Sequence, residues 1–140
     1  MRLHLSTFDD GKKQLEKAVE KINALDADLV CFTGDMVSLS PSETEPYVDV
    51  LKGVKARDGV ASVLGNHDFF IYSMAKKPGL HSAAGVTVDP ESSLDSLVSF
   101  ERDSLGWRLL RNENMTISRG EEKITIVGVD NINGTDQGFK

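Results

Sequence analysis

Two stretches of the chain set a glycine directly before side chains that hold cations and move protons: Phe32-Thr33-Gly34-Asp35 and Val63-Leu64-Gly65-Asn66-His67-Asp68. Asp35 offers a carboxylate able to bridge two cations, Asn66 a neutral amide oxygen, and His67 an imidazole that can give or take a proton. Taken singly, each stretch reads as a turn or a helix cap. Jointly they suit metal-assisted hydrolysis, in which two cations about 3.5 to 4 Å apart hold an attacking hydroxide and a phosphoryl group. Asp35 and Asn66 lie far apart in sequence, so the fold must supply their proximity.

The elements around them have that capacity. Leu29 to Thr33 is a short apolar run closed by Gly34, and Gly59 to Leu64 is another closed by Gly65; both suit strands buried on two faces. Between them Ser38 to Pro46 reads as a loop, and Val48, Leu51 and Val54 suggest a short second helix weakened at its end by Gly53. Before them Leu15, Ala18, Val19, Ile22 and Leu25 recur at helical spacing behind the cap residues Asp9-Asp10, predicting a first helix over 11–25. Alternating strand, helix and strand imply an α/β domain with a parallel pair and a right-handed crossover. In such sheets ligands bind beyond the carboxyl ends of the strands, where both glycine stretches sit.

Further along, 74–90 has no sustained period and reads as a long loop containing His81. Pro90 and the following apolar positions predict a third helix over 91–105, ended by Gly106. Trp107 to Leu110, Met115 to Ser118 and Lys123 to Val129 read as extended segments, the last two joined by Arg119-Gly120-Glu121-Glu122 as a hairpin. Trp107 is assigned to the core. Phe69, Phe70 and Tyr72 read as core or as pocket wall.

Composition narrows the classes. With 140 residues, 39% apolar and 27% charged, the chain fits one domain. Sixteen basic against 22 acidic residues leave a net charge of −6, which argues against nucleic acid as a primary partner. No apolar stretch approaches the length of a membrane-spanning helix. The single cysteine, Cys31, cannot form a disulfide within the chain and reads as a small buried hydrophobe.

Gly34-Asp35 followed by Gly65-Asn66-His67-Asp68 resembles the calcineurin-like metallophosphoesterase superfamily, whose pattern runs D-x-H, then G-D, then G-N-H-[DE]. Asp28 to Val37, Leu109 to Glu113 and Gly128 to Asn131 are similar to bacterial phosphodiesterases whose catalytic domain is membrane-attached or exported. The resemblance implies an αββα sandwich and a metal-dependent phosphoesterase that hydrolyses phosphomonoesters or phosphodiesters with metal-activated water. It implies two divalent ions, manganese, iron, zinc or magnesium. Asp35 would bridge them, Asn66 would bind one through its side-chain oxygen, and His4 would bind or assist the other. It gives His67 the place beside the leaving-group oxygen and has Asp68 accept the His67 ring N–H, fixing its tautomer.

The chain departs from the pattern at both ends. Arg2 stands where the first motif has its aspartate, and a guanidinium cannot ligate a cation. After Gly128 nothing matches the family's later histidines, and His81 lacks their neighbours and reads as a loop histidine. The expectation is a single incomplete domain over 1–140, truncated at both ends, lacking the first strand and the C-terminal part of the sandwich. That chain would bind metal poorly, turn over little, and self-associate through the sheet edge exposed beside Leu29 to Thr33. The parent protein would be bacterial, cytoplasmic or membrane-attached. The competing reading is a catalytically inactive relative that uses the same surface as a binding module, for which Arg2 speaks. A flavodoxin-like nucleotide module would need a G-x-G-x-x-G loop that the sequence does not contain.

Overall fold

The computed structural model describes Leu3, Leu5 and residues 11–38, 40–69 and 90–131. Arg2, His4, the Asp9-Asp10 cap, Phe70, Tyr72, the 74–89 loop with His81, and the tail beyond Asn131 lie outside the described residues. Helix α1 (Gly11–Asn23) buries Leu15 and Val19 and turns its lysines and glutamates outward, as the 3.6-residue period requires. Strand β1 (Val30–Phe32) leads through the Gly34-Asp35 loop to a 3-10 helix (Pro41–Tyr47) and helix α2 (Val48–Lys52). Strand β2 (Val60–Ser62) follows. Helix α3 (Pro90–Ser99) runs into a π-helical turn (Phe100–Ser104), then strand β3 (Arg108–Leu109) and the hairpin of β4 (Glu113–Arg119) and β5 (Glu122–Gly128).

Strands β1, β2 and β3 form one parallel sheet in that order, with Val30 opposite Val60, Phe32 opposite Ser62, and Ser62 opposite Leu109. The alternating strand and helix pattern of the sequence therefore does produce an α/β fold. Leu15 and Val19 of α1, Val50 and Leu51 of α2, and Leu94 and Leu97 of α3 pack with Phe32, Val60, Trp107 and Leu109 into one core that also takes in Leu3 and Leu5. The Phe32 and Trp107 rings meet at 5.4 Å and 52°, a tilted contact worth about 1 kcal/mol beyond its area.

Three sequence readings change. Ser38 to Pro46 is a loop only as far as Ser40, where a capping box opens the 3-10 helix: Ser40 caps the first turn and Glu43 returns to the Ser40 amide at 2.9 Å. The third helix is not α-helical throughout, since Leu105 N–H bonds the Phe100 carbonyl five residues back at 2.9 Å. Cys31 is exposed rather than buried. It lies on β1, an edge strand among the described residues, whereas its neighbour Ala61 on the central strand is covered. The Gly128 end of the hairpin rests on Leu110 and Val63, just beyond the ends of β3 and β2.

Candidate active site

The carboxyl ends of β1, β2 and β3 form one rim. Phe32 leads to Gly34-Asp35, Ser62 to Gly65-Asn66-His67-Asp68, and Leu109 to Leu110-Arg111-Asn112. The first two loops touch so closely that no side chain fits between them. A Cβ on Gly34 would collide with the Gly65 backbone, and one on Gly65 would land on the Asp35 carboxylate. Gly34 also sits at φ 85° and Asp35 at φ 56°, left-handed values that glycine adopts freely and aspartate tolerates better than most residues.

Asp68 holds this arrangement. Its Oδ2 accepts the amides of Asp35 and Gly65, both at 2.8 Å, and its Oδ1 accepts those of Met36 at 2.9 Å and Val37 at 3.2 Å. One buried carboxylate therefore satisfies four backbone donors from two loops about thirty residues apart, which offsets the strain of the left-handed Asp35. Burial pushes the Asp68 carboxyl above its ordinary range, while those four amides pull it down.

Asp35 is 1% exposed, and its Oδ1 accepts the His67 amide at 3.0 Å. The structure thus brings the Asp35 carboxylate against the very turn that carries Asn66 and His67. Asn66 is exposed and His67 half-buried. The His67 Nδ1 lies 3.1 Å from the Ser38 carbonyl. A carbonyl only accepts, so Nδ1 carries the hydrogen and Nε2 is the acceptor nitrogen of the neutral ring.

This geometry corrects the role given to Asp68. It does not accept the His67 ring N–H, because its oxygens are committed to four backbone amides; the tautomer is set by Ser38 instead. Asp68 is a positioning residue. Sequence reasoning missed Ser38 and Glu43, whose Oε2 accepts the Ser38 amide at 2.8 Å and so fixes the carbonyl that orients the imidazole. The Ser40-x-x-Glu43 spacing of a capping box was the available signal.

A buried pair lies beneath the rim. Ser62, on the central strand, donates to Glu101 Oε2 at 2.5 Å. Glu101 is fully buried, and desolvation pushes its carboxyl from 4.5 up to about 8, with the nearby Asp68 charge acting in the same direction. It is protonated at neutral pH.

Asp35 and Asn66 are hard oxygen donors with no thiolate beside them, a set that suits magnesium, manganese, iron or zinc. They fit such an ion in kind but supply only part of its shell. Among the described residues no three His, Cys, Asp or Glu side chains cluster so as to hold a metal. His4, assigned to the same site, lies outside the described residues.

Comparison with known proteins identifies the family. The family model described as calcineurin-like phosphoesterase matches residues 3–139. An uncharacterized metallophosphoesterase of Campylobacter jejuni, Cj0846, is 21% identical over 125 residues, 89% of this chain and 27% of that protein. A Danio rerio protein named for a transmembrane protein with a metallophosphoesterase domain is 27% identical over 111 residues, 72% of this chain and 25% of its own. The chain spans about a quarter of the length of these curated relatives. No solved structure matches. No helix among the described residues is long and apolar enough to cross a membrane.

Proposed function

Because the chain belongs to the calcineurin-like phosphoesterase family, we propose that its rim is a metal-dependent phosphoester hydrolysis site in which Asp35 and Asn66 are the divalent-cation ligands of the described residues. One observation supports this reading most. The four-amide grip of Asp68 locks the Gly34-Asp35 loop onto the Gly65-Asn66-His67 turn, so a buried carboxylate, an amide oxygen and an imidazole share one end of the sheet. A divalent cation, when bound, polarises a phosphoryl oxygen and acidifies a water molecule.

The chain's own residues do the rest. Asp35 neutralises cation charge from a buried position. Asn66 adds a ligand without adding charge. His67, with Nδ1 turned to Ser38, directs Nε2 chemistry at the leaving-group oxygen, which it protonates when the ring is charged. His4 belongs to the same proposal as a further ligand, and the Asp35 carboxylate would be the group shared if two ions are held. Among the described residues the donors are fewer than a divalent cation takes, which supports reading this 140-residue chain as weakly active.

Calorimetric titration with Mn2+ tests the assignment. Binding in the millimolar range, lost in Asp35→Asn and weakened in Asn66→Ala, is the expected result, together with slow Mn2+-dependent hydrolysis of bis-p-nitrophenyl phosphate. Equal Mn2+ affinity in wild type and Asp35→Asn would overturn the ligand assignment, and rapid turnover by this chain would overturn its impairment.

A further inference from the structure

The third strand of the rim carries a charge that the proposed chemistry does not use. Among the described residues that directly follow the three parallel strands, 33–38, 63–69 and 110–112, Arg111 is the sole lysine or arginine. Its guanidinium is fixed from two sides. Nε donates to Asp130 Oδ1 at 3.2 Å and Oδ2 at 3.0 Å, and Nη2 donates to Oδ2 at 2.9 Å. The plane lies over the Phe69 ring, 5.7 Å from its centroid. Phe69 is buried and follows Asp68 directly, so the guanidinium sits against the same turn that carries Asn66 and His67.

Three features separate this arginine from an ordinary surface ion pair. Asp130 is 7% exposed at its side chain, so its charge is screened little, while Arg111 keeps 29% of its side chain open. The fork is engaged only through Nε and Nη2, and Nη1 has no partner among the described residues. The end of β5 is tied to the end of β3 a second time by the Asp130 amide, which donates to Asn112 Oδ1 at 3.1 Å. A guanidinium held on one edge by a buried carboxylate and on one face by a ring loses little freedom when its remaining edge meets an anion.

Neighbouring strands stand about 4.8 Å apart, so β3 lies about 10 Å from the β1 end that carries Asp35. That two-strand offset leaves room for a ligand group at Arg111 beyond the phosphoryl group at Asp35 and Asn66.

Resting on the phosphoesterase reading of the rim, we propose that Arg111 is a substrate-binding residue whose Nη1 edge holds a second anionic group. The favoured substrates are then phosphoesters with another phosphate beyond the scissile one, a diphosphate in the simplest case. Asp130 and Phe69 position Arg111 and do not touch the substrate.

The test is calorimetric binding of inorganic pyrophosphate to the whole chain at low ionic strength without divalent cation. Pyrophosphate is expected to bind wild type at least tenfold more tightly than orthophosphate. Arg111→Lys, which keeps a cation opposite Asp130 but removes the planar edge, is expected to weaken pyrophosphate about fivefold. The pair Arg111→Gln with Asp130→Asn removes the charge without stranding a buried carboxylate and is expected to weaken it tenfold or more. Arg57→Gln, which changes an exposed arginine paired with Asp28, is expected to stay within twofold. Wild type that does not distinguish the two anions overturns the assignment, as does either Arg111 variant binding pyrophosphate as wild type does. Since no metal enters this measurement, its failure is separate from a failure of Asp35 to bind Mn2+.

Discussion

The rim and the hairpin hold their shapes by opposite means. The parallel strands are two or three residues long, yet their ends are locked by long-range bonds: one buried carboxylate grips four amides, and two glycines press loops together. The hairpin has two seven-residue strands in unbroken register from Glu113–Gly128 to Arg119–Glu122, but Ile124 and Val127 are 61% and 68% exposed. Its ties to the sheet lie at its two ends, with Arg119 reaching Asp58 at 2.5 Å and Arg111 reaching Asp130. Order therefore follows from burial at the rim and from local pairing in the hairpin. Mutations should cost much in the first region and little in the second.

The sharpest break is Asp68→Asn. The new amide cannot accept at all four backbone donors, and leaving buried N–H groups unpaired should cost about 4 kcal/mol in urea unfolding. A loss below about 1 kcal/mol would mean that the loops hold themselves.

Glu101 comes next. An unfolded chain releases its proton near pH 4.5, whereas the folded chain keeps it to about 8. Within that window the folded state binds more protons, so stability falls as pH rises, by about 1.4 kcal/mol per unit. Between pH 6 and 8 the loss comes to about 2 kcal/mol, and it levels off above 8. Glu101→Gln should flatten this slope; an unchanged slope would assign it to other groups.

Gly65→Ala drives a methyl onto the Asp35 carboxylate and should cost about 2 kcal/mol, with Mn2+ binding lost even at temperatures where the chain stays folded. A smaller change is Val127→Thr on the exposed hairpin face, expected within about 0.5 kcal/mol of wild type. A drop of 2 kcal/mol there would show that something covers that face in solution. Arg119→Ala should leave the melting temperature unchanged and quicken hydrogen exchange in β4 and β5 but not in β1 or β2, because its ion pairs are exposed and screened by salt.

What the sequence revealed follows the same divide. The hairpin was legible because turn residues and alternation act over a few positions, and β4 and β5 appear within two residues of their expected bounds. The α/β alternation was legible for the same reason, and the two glycine motifs do follow β1 and β2 and meet there. Asp68 was placed in the right loop with another task, since three of its four partners belong to residues 35–37 and no local pattern announces bonds across that distance. Cys31 failed differently: an apolar run predicts burial, but whether a strand is central or outermost is decided by its neighbours. Glu101 sits on a helix whose period gave no hint that a carboxyl would lie under the central strand.

One of the smaller details reaches furthest. Glu43 closes the first turn of the 3-10 helix and, through its other oxygen, anchors the Ser38 amide. The acid–base readiness of His67 is thereby hitched to a single short coil. Should that coil unwind, the imidazole loses the carbonyl that dictates which of its nitrogens is protonated, and the ring becomes free to present either edge.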